Sequence, residues 1–386
     1  MSVYDVEGND LDNLGANKRV SLYNLINAID WDNVPFANAN GETLVSSALS
    51  AWQSSGSDVV AISVSYTGEP VIEAGTSTSS LALSITGTLE GGGTRAISSG
   101  YTLSPATIVE GVNTVTVYYG DLSDTFKVSG IAQNADVYLY HFNDSIAPVH
   151  ITEDLGITAA TPAYGTGVFD KASEITNVQA SALYTPTTGG VGSFTGKFTI
   201  AFWAKGTDTA NNQFFCNTYY RGGTGVSSKP AASEFTFSDG WGLDSTGSGT
   251  ISKKTAGTAL IWYNSKFYFR TCNNALSYGL NIHLQKTGFD ITSWHHYVIS
   301  RDADNVLRLF IDGTEIMRIT YTYDLYVSPY TGFGYGSNES SAQTTPNYSS
   351  GVGSTNGTVW IDELLIVNGS CLYDSNFVAP TKPYDI

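Results

Sequence analysis

Between Ser293 and Arg318 the chain reads as strand, turn, strand, turn, strand. Trp294-His295-His296-Tyr297-Val298-Ile299-Ser300-Arg301 and Val306-Leu307-Arg308-Leu309-Phe310-Ile311 are rich in aromatic and β-branched residues, which suit a pleated, half-buried surface. Asp302-Ala303-Asp304-Asn305 separates them with the side chains that turns use. The second run ends at Asp312-Gly313, among the strongest short hairpin signals, and continues through Glu315-Ile316-Met317-Arg318.

Composition agrees. The 386 residues include 40 glycines and 24 tyrosines, and only 14% are charged. This favours short strands joined by polar turns over helical bundles. The formal net charge of -17 repels phosphate, so nucleic acid and anionic membrane are poor partners. No apolar run approaches the ~20 residues that cross a bilayer, so membrane insertion is not expected. Met1-Ser2-Val3-Tyr4-Asp5-Val6-Glu7 is acidic and does not read as a secretory signal. Cys216, Cys272 and Cys371 have no metal-ligand spacing. They read as small core residues, with a Cys216–Cys272 disulfide left open.

Residues 1–57 differ from the rest. Leu22, Leu25, Ile26 and Ile29 have mixed spacing, whereas Leu44, Ala48, Leu49 and Trp52 fall near one face of a helix over Glu42–Ser54. So short a segment has little core of its own, and it is expected to cap the next domain or to dock on another subunit. Residues 58–131 alternate like strands at Ile62–Tyr66, Leu81–Ile85 and Val115–Tyr119, with turn clusters at Thr67–Pro70, Glu90–Gly93 and Gly120-Asp121. From residue 136 a second β-rich domain is expected to run to residue 386. Phe198–Lys205 is its apolar core strand, and Ala259–Tyr263 with Lys266–Arg270 form a hairpin over Asn264-Ser265.

Three blocks of this second domain resemble the laminin-G-like (concanavalin A-like) jelly-roll family. They are Tyr138-Leu139-Tyr140-His141-Phe142-Asn143-Asp144, the Trp294–Arg318 ribbon, and Val359-Trp360-Ile361-Asp362-Glu363-Leu364-Leu365-Ile366 followed by Tyr373 and Phe377. Gly167-Val168-Phe169-Asp170-Lys171-Ala172 is similar to the family's Gly-x-Phe-Gly-x-Ala segment, with Asp170 in place of glycine. Ser99-Gly100-Tyr101-Thr102-Leu103-Ser104-Pro105 and Gly111-Val112-Asn113-Thr114-Val115 resemble bacterial Ig-like domains of surface and phage virion proteins. The resemblance implies an all-β chain: an Ig-like β-sandwich followed by a concanavalin A-like jelly-roll sandwich, with a small mixed N-terminal segment. It does not imply one function, because the fold carries lectins, enzymes and structural modules alike.

Several side chains need weighing as sites. His295 and His296 are neighbours on a strand and so face opposite ways, which excludes joint metal binding from that strand. His141 and His150 are isolated. The Asp302–Asn305 segment lacks the glycine and the distal glutamate of a calcium loop. Relatives in the resembled family hold a structural Ca²⁺ near their first and last strands, and the corresponding oxygens here are Asn143, Asp144 and Asp362. The Glu-x-Asp-x-x-Glu strand of concanavalin A-like hydrolases is absent, and Asp362 and Glu363, being adjacent, are expected to point oppositely. Neither a Gly-x-Ser-x-Gly elbow nor a His-Glu-x-x-His motif occurs, so no enzyme is expected. Tyr326, Tyr330 and Tyr335 crowd a Gly/Pro-containing segment, with Trp241 in an earlier long loop as a possible partner. Such rings stack on sugar faces, and they equally serve protein contact or packing.

These features suggest a non-enzymatic bacteriophage virion surface protein (head fibre, capsid decoration or tail appendage), made in the host cytoplasm without a signal peptide. It would adhere to host or environmental glycans at the cell surface or in mucus. Its partners would be other virion proteins, through the N-terminal segment, and further copies of itself in a homo-oligomer. A bacterial cell-surface carbohydrate-binding adhesin and a purely structural decoration protein are the alternatives.

Overall fold

The structure, a computed structural model, describes residues 58–386 apart from 91, 148, 152–161, 177–182, 185–192, 208–210, 221–231, 239, 249–254, 264–265, 273–278, 287, 327–331 and 334–357. The helix expected over 42–54 lies outside these residues. The described chain is all β, and its only helical turns are short 3₁₀ segments at Thr78–Ser80 and Ala232–Glu234.

The early strands are β1 (Val59–Tyr66), β2 (Val71–Glu73), β3 (Leu83–Leu89), β4 (Thr94–Ala96), β5 (Thr102–Ser104), β6 (Gly111–Tyr119) and β7 (Leu122–Ile131). Then come β8 (Asp136–Tyr140), β9 (His150–Ile151), β10 (Tyr164–Thr166), β11 (Lys171–Ile175), β12 (Leu183–Tyr184), β13 (Ser193–Phe194) and β14 (Phe198–Gly206). Next are β15 (Asn211–Tyr220), β16 (Thr236–Phe237), β17 (Gly242–Ser248), β18 (Thr255–Tyr263), β19 (Lys266–Cys272) and β20 (Gly279–Gln285). The last are β21 (His295–Arg301), β22 (Val306–Ile311), β23 (Thr314–Thr320), β24 (Leu325–Tyr326), β25 (Gly332–Phe333) and β26 (Val359–Asn368).

The chain divides into two compact units. The described part of the first is 58–68, 78–106 and 115–126, and the second is 69–77, 107–114 and 127–386. In the first unit β1 pairs with β3 and β3 with β4, while β5 pairs with the far end of β6. Alternation does its work here: Ile85, Val115, Val117 and Phe126 turn inward, and Tyr66 stacks on Phe126 at 5.2 Å. Asp124 Oδ2 accepts from the Val64 N–H of β1 at 2.8 Å.

The second unit is a two-sheet sandwich. One sheet runs β10-β11-β26-β14-β21-β22-β23-β16, with β8 also on β26 and β9 on β8. The other runs β12-β25-β15-β18-β19-β20-β17. Phe198, Ile200, Phe202, Tyr297, Ile299, Leu307 and Leu309 of the first sheet meet Leu260, Trp262, Phe267, Phe269 and Leu284 of the second in one core. The larger sheet is covered on its outer face as well. Leu139, Ala201, Val298, Phe310, Leu365 and Val367 are buried there under Leu372, Tyr373, Phe377 and Tyr384 of the C-terminal segment, with Val71 and Ile131. Burial on both faces explains why β14 and β26 read as continuous apolar runs, not alternating ones.

The ribbon forms as its turns dictate. Ile311 pairs with Thr314 across Asp312 and Gly313, whose φ values are 51° and 77°, the left-handed pair of a two-residue hairpin. A Cβ on Gly313 would also stand 2.2 Å from the Phe377 carbonyl oxygen. Asp302 Oδ1 accepts from Asp304 N and Val306 N at 2.9 Å each, which makes that segment a side-chain-capped turn. Tyr263 pairs with Lys266, as the two-residue hairpin requires. Cys216 lies opposite Ala259 and Cys272 opposite Gly257, with β18 between them. Two strand spacings, about 10 Å, exceed the ~7 Å limit for a disulfide. Cys371 is a free buried thiol, pushed up to about 12 by burial.

Candidate functional site

Strand β26 changes partner midway. Val359–Ile361 pair with β11, and Leu364–Asn368 pair with β8. Asp362 and Glu363 fall at the changeover, where the register against β14 slips and Glu363 takes a φ of 50°. Ile361 and Leu364 both reach the inter-sheet core, so this bulge puts both carboxylates on the outer side. The opposite orientations expected of adjacent residues are therefore overturned by the extra residue in the strand. Both acids are buried, at 1% and 0% exposure. Asp362 Oδ2 accepts from Val168 N at 2.8 Å and Oδ1 from Glu363 N at 2.9 Å. A Cβ on Gly167 would stand 2.5 Å from Asp362 Oδ2, which is why that position is glycine. Glu363 Oε1 lies 2.7 Å from His141 Nδ1, and Oε2 accepts from Tyr384 N at 3.0 Å. The Glu363 hydrogen bond raises the His141 pKa, outweighing burial. Burial pushes Asp362 up to about 7, against the pull of its N–H donors.

His295 and His296 face opposite ways, as the two-residue period requires. His295 Nδ1 contacts Asp312 Oδ2 at 2.5 Å and Nε2 contacts the Asp290 carbonyl at 2.6 Å. Burial lowers its pKa, but the Asp312 hydrogen bond and charge raise it further, for a net rise. His296 is fully buried, bonds the Tyr384 hydroxyl through Nε2 at 2.9 Å, and lies 5.1 Å from the Trp203 ring. Burial holds its pKa down to about 3.

These shifts predict the pH dependence of stability. Neutral His296 contributes stability that is present above its ordinary 6.5 and lost as pH falls toward 3. Asp362 contributes stability that is present below its ordinary 3.8 and lost as pH rises toward 7. Between these ordinary values the two slopes oppose. Above pH 6.5, His141 and His295 lose their contributions as pH rises through their raised values. Thermal melts should therefore be flat from about pH 4 to 6.5 and fall on either side. His296→Gln should convert the plateau into a slope of about 1.4 kcal/mol per pH unit, with stability rising as pH falls. A plateau unchanged by that substitution would show that His296 does not titrate with folding.

The sequence-derived site residues are only partly brought together. Asn143 Oδ1 accepts from Lys171 N at 3.1 Å, Asp144 pairs with Lys171 Nζ, and Asp362 holds the 168–169 backbone. A calcium ion on these three would have to displace Lys171 and the N–H donors. Among the described residues no group of three or more His, Cys, Asp and Glu is arranged for a metal. Tyr330 and Tyr335 lie outside the described residues. Tyr326 is placed by its backbone, opposite Ser193. Trp241 is half-buried, with its ring 5.8 Å from Phe267 and 5.5 Å from Phe289, and Lys286 Nζ lies over it at 5.8 Å.

One surface group was not foreseen. On the outer side of the large sheet, Lys205 of β14 lies opposite Trp360 of β26, and Trp360 lies opposite Glu174 of β11. Trp294 immediately precedes β21, whose His295 pairs with Ala204. Lys205 Nζ stands 5.1 Å from the Trp294 ring centre and 4.9 Å from that of Trp360. All four side chains are half-buried. Lys171, Lys197 and Lys382 each hold a carboxylate, whereas Lys205 meets only indoles among the described residues. Period-2 counting puts Lys205 and Trp360 on outward positions, but only the order β11-β26-β14-β21 joins them to Trp294.

No family model and no curated protein matches the chain. Solved structures do match. The binding domain of Paraclostridial Mosquitocidal Protein 1 is 11% identical at a TM-score of 0.39, over 61% of this chain and 49% of that one. The botulinum neurotoxin serotype G binding domain gives 11%, 0.39, 61% and 48%. The serotype D ligand-binding domain in complex with N-acetylneuraminic acid gives 10%, 0.39, 61% and 48%. The chain spans about half the length of these structures.

Proposed function

We propose that the chain is a non-enzymatic adhesion module that contacts glycans through the outer face of its large sheet, displayed on a virion surface as an Ig-like domain followed by a laminin-G-like jelly roll. The observation that carries the glycan contact is the Trp294–Lys205–Trp360 row, with two half-exposed indoles beside a hydrogen-bond donor and Glu174 as acceptor. Aromatic faces with polar neighbours suit sugars, which present apolar faces edged by hydroxyls. Asp362, Glu363 and His296 are buried and do not face that surface's ligand. The virion setting rests on the Ig-like and jelly-roll resemblance; residues 1–57 would dock the protein or join its copies. Tyr326, Tyr330 and Tyr335 are proposed as a second glycan contact, and a calcium ion at Asn143, Asp144 and Asp362 as a structural addition that requires Lys171 to move.

Single sites of this kind bind weakly, so adhesion would need many copies. A glycan array probed with the multimerised full chain tests the reading. Wild type should bind a set of glycans that Trp294→Ala/Trp360→Ala loses, and Tyr326→Ala/Tyr330→Ala shows whether the tyrosine segment adds to it. No binding by wild type, or equal binding by the tryptophan variant, would overturn the assignment.

A further inference from the structure

Resting on the glycan reading, we infer that the Trp294–Lys205–Trp360 row selects a glycan carrying an isolated acidic sugar, its carboxylate received by the Lys205 ammonium. The ammonium is held between two rings at 5.1 and 4.9 Å, where each ring attracts it through its negative face. Its N–H donors have no carboxylate or carbonyl partner among the described residues, unlike those of Lys171, Lys197 and Lys382. Among the described residues no carboxylate pairs with this half-buried cation, in a chain with 35 acidic and 18 basic residues. The indoles limit the side-chain freedom of Lys205, so less is lost when a ligand anion pairs with it. Glu174, opposite Trp360 on the next strand, is an acceptor for sugar hydroxyls and opposes a second anion there. The net charge of -17 acts in the same direction by repelling polyanions at long range. Together these features favour one carboxylate on an otherwise neutral glycan over a uronate polymer or a sulfated chain.

The test measures retention of the full chain, multimerised, on beads carrying lactose, 3′-sialyllactose or lactose capped by glucuronic acid, with dextran sulfate as the polyanion. Retention is expected on one or both carboxylated beads, and the arm that binds identifies the acid. It should weaken as salt shortens the Debye length from about 10 Å at 0.1 M. Lys205→Met should weaken retention about tenfold, the loss of one charge-assisted contact, and Lys205→Arg should restore most of it. Circular dichroism melts of both variants should stay close to that of wild type, since among the described residues the head group meets only the two rings and such contacts contribute about 0.5–1 kcal/mol at exposed sites. Equal retention by wild type and Lys205→Met would overturn the inference. So would retention on lactose alone, which leaves the glycan reading standing, or retention on dextran sulfate in preference to the carboxylated beads. Retention on none of these beads overturns the inference, and it overturns the glycan reading too only if the array is also blank.

Discussion

Glu363→Ala is expected to cost the folded protein about 3–5 kcal/mol, the usual penalty for removing one partner of a buried charge pair. The carboxylate is fully buried, lies 2.7 Å from His141 Nδ1, and accepts the Tyr384 N–H at 3.0 Å. Truncation strands both donors away from water, and each orphaned group carries a desolvation penalty. It also frees the end of the C-terminal segment, because Tyr384 is the residue whose hydroxyl reaches His296 and Tyr373. Glu363→Gln keeps an acceptor and should cost less than half as much. Urea unfolding of the three proteins at pH 6 measures this. A loss below about 1 kcal/mol for the alanine variant would mean that the pair does not hold the cover to the sheet.

Arg301→Met should be of similar size, again about 3–5 kcal/mol. Arg301 is among the largest fully buried side chains, and its guanidinium donates to three backbone carbonyls: Gly196 through Nε at 2.8 Å, Tyr323 through Nη1, and Phe194 through Nη2 at 2.9 Å. It also lies 5.6 Å from the Phe198 ring. Burial lowers its pKa, and the nearby Asp324 charge opposes that fall. Methionine fills much of the volume but removes the donor that Arg301 supplies to each of the three carbonyls, so the loss reports the hydrogen bonds more than packing. Arg301→Lys retains a charge without the planar fork and should fall between. Because one of these carbonyls lies in β13, one just after it and the third just before β24, hydrogen exchange near residues 193–196 and 323–326 should rise ahead of the core. A methionine variant within 1 kcal/mol of wild type would remove Arg301 from this role.

The strands and tight turns were legible in the sequence wherever the deciding interactions are local. The alternation of Ile62–Tyr66 and Val115–Tyr119 appears as β1 and the end of β6, and Asp312-Gly313 closes the hairpin it advertises. His295 and His296 divide between two faces because the period of a strand leaves no other outcome. The proposed binding surface was less legible. Trp294 and Trp360 read as parts of fold motifs and Lys205 as the end of a core strand, with nothing in their spacing to join them. His141 read as isolated, although its partner Glu363 lies on the last strand.

What the sequence alone determined is the all-β character, the hairpins of the 294–318 ribbon, and the net charge of -17. Each follows from neighbouring residues or from composition. The tertiary structure decided which strands lie side by side. It placed β26 between β14 and two successive partners, and the bulge at that changeover turned Asp362 and Glu363 to the same side. It also assigned residues 69–77 and 107–114 to the same compact unit as the C-terminal chain, where Glu110 accepts from Lys197 and from the Cys371 N–H. Strand order depends on contacts between residues far apart in the chain, each carrying a loop-closure cost and leaving no local pattern. The buried acids and the Trp–Lys–Trp surface both arise at such contacts, so neither could be read before the sheet was assembled.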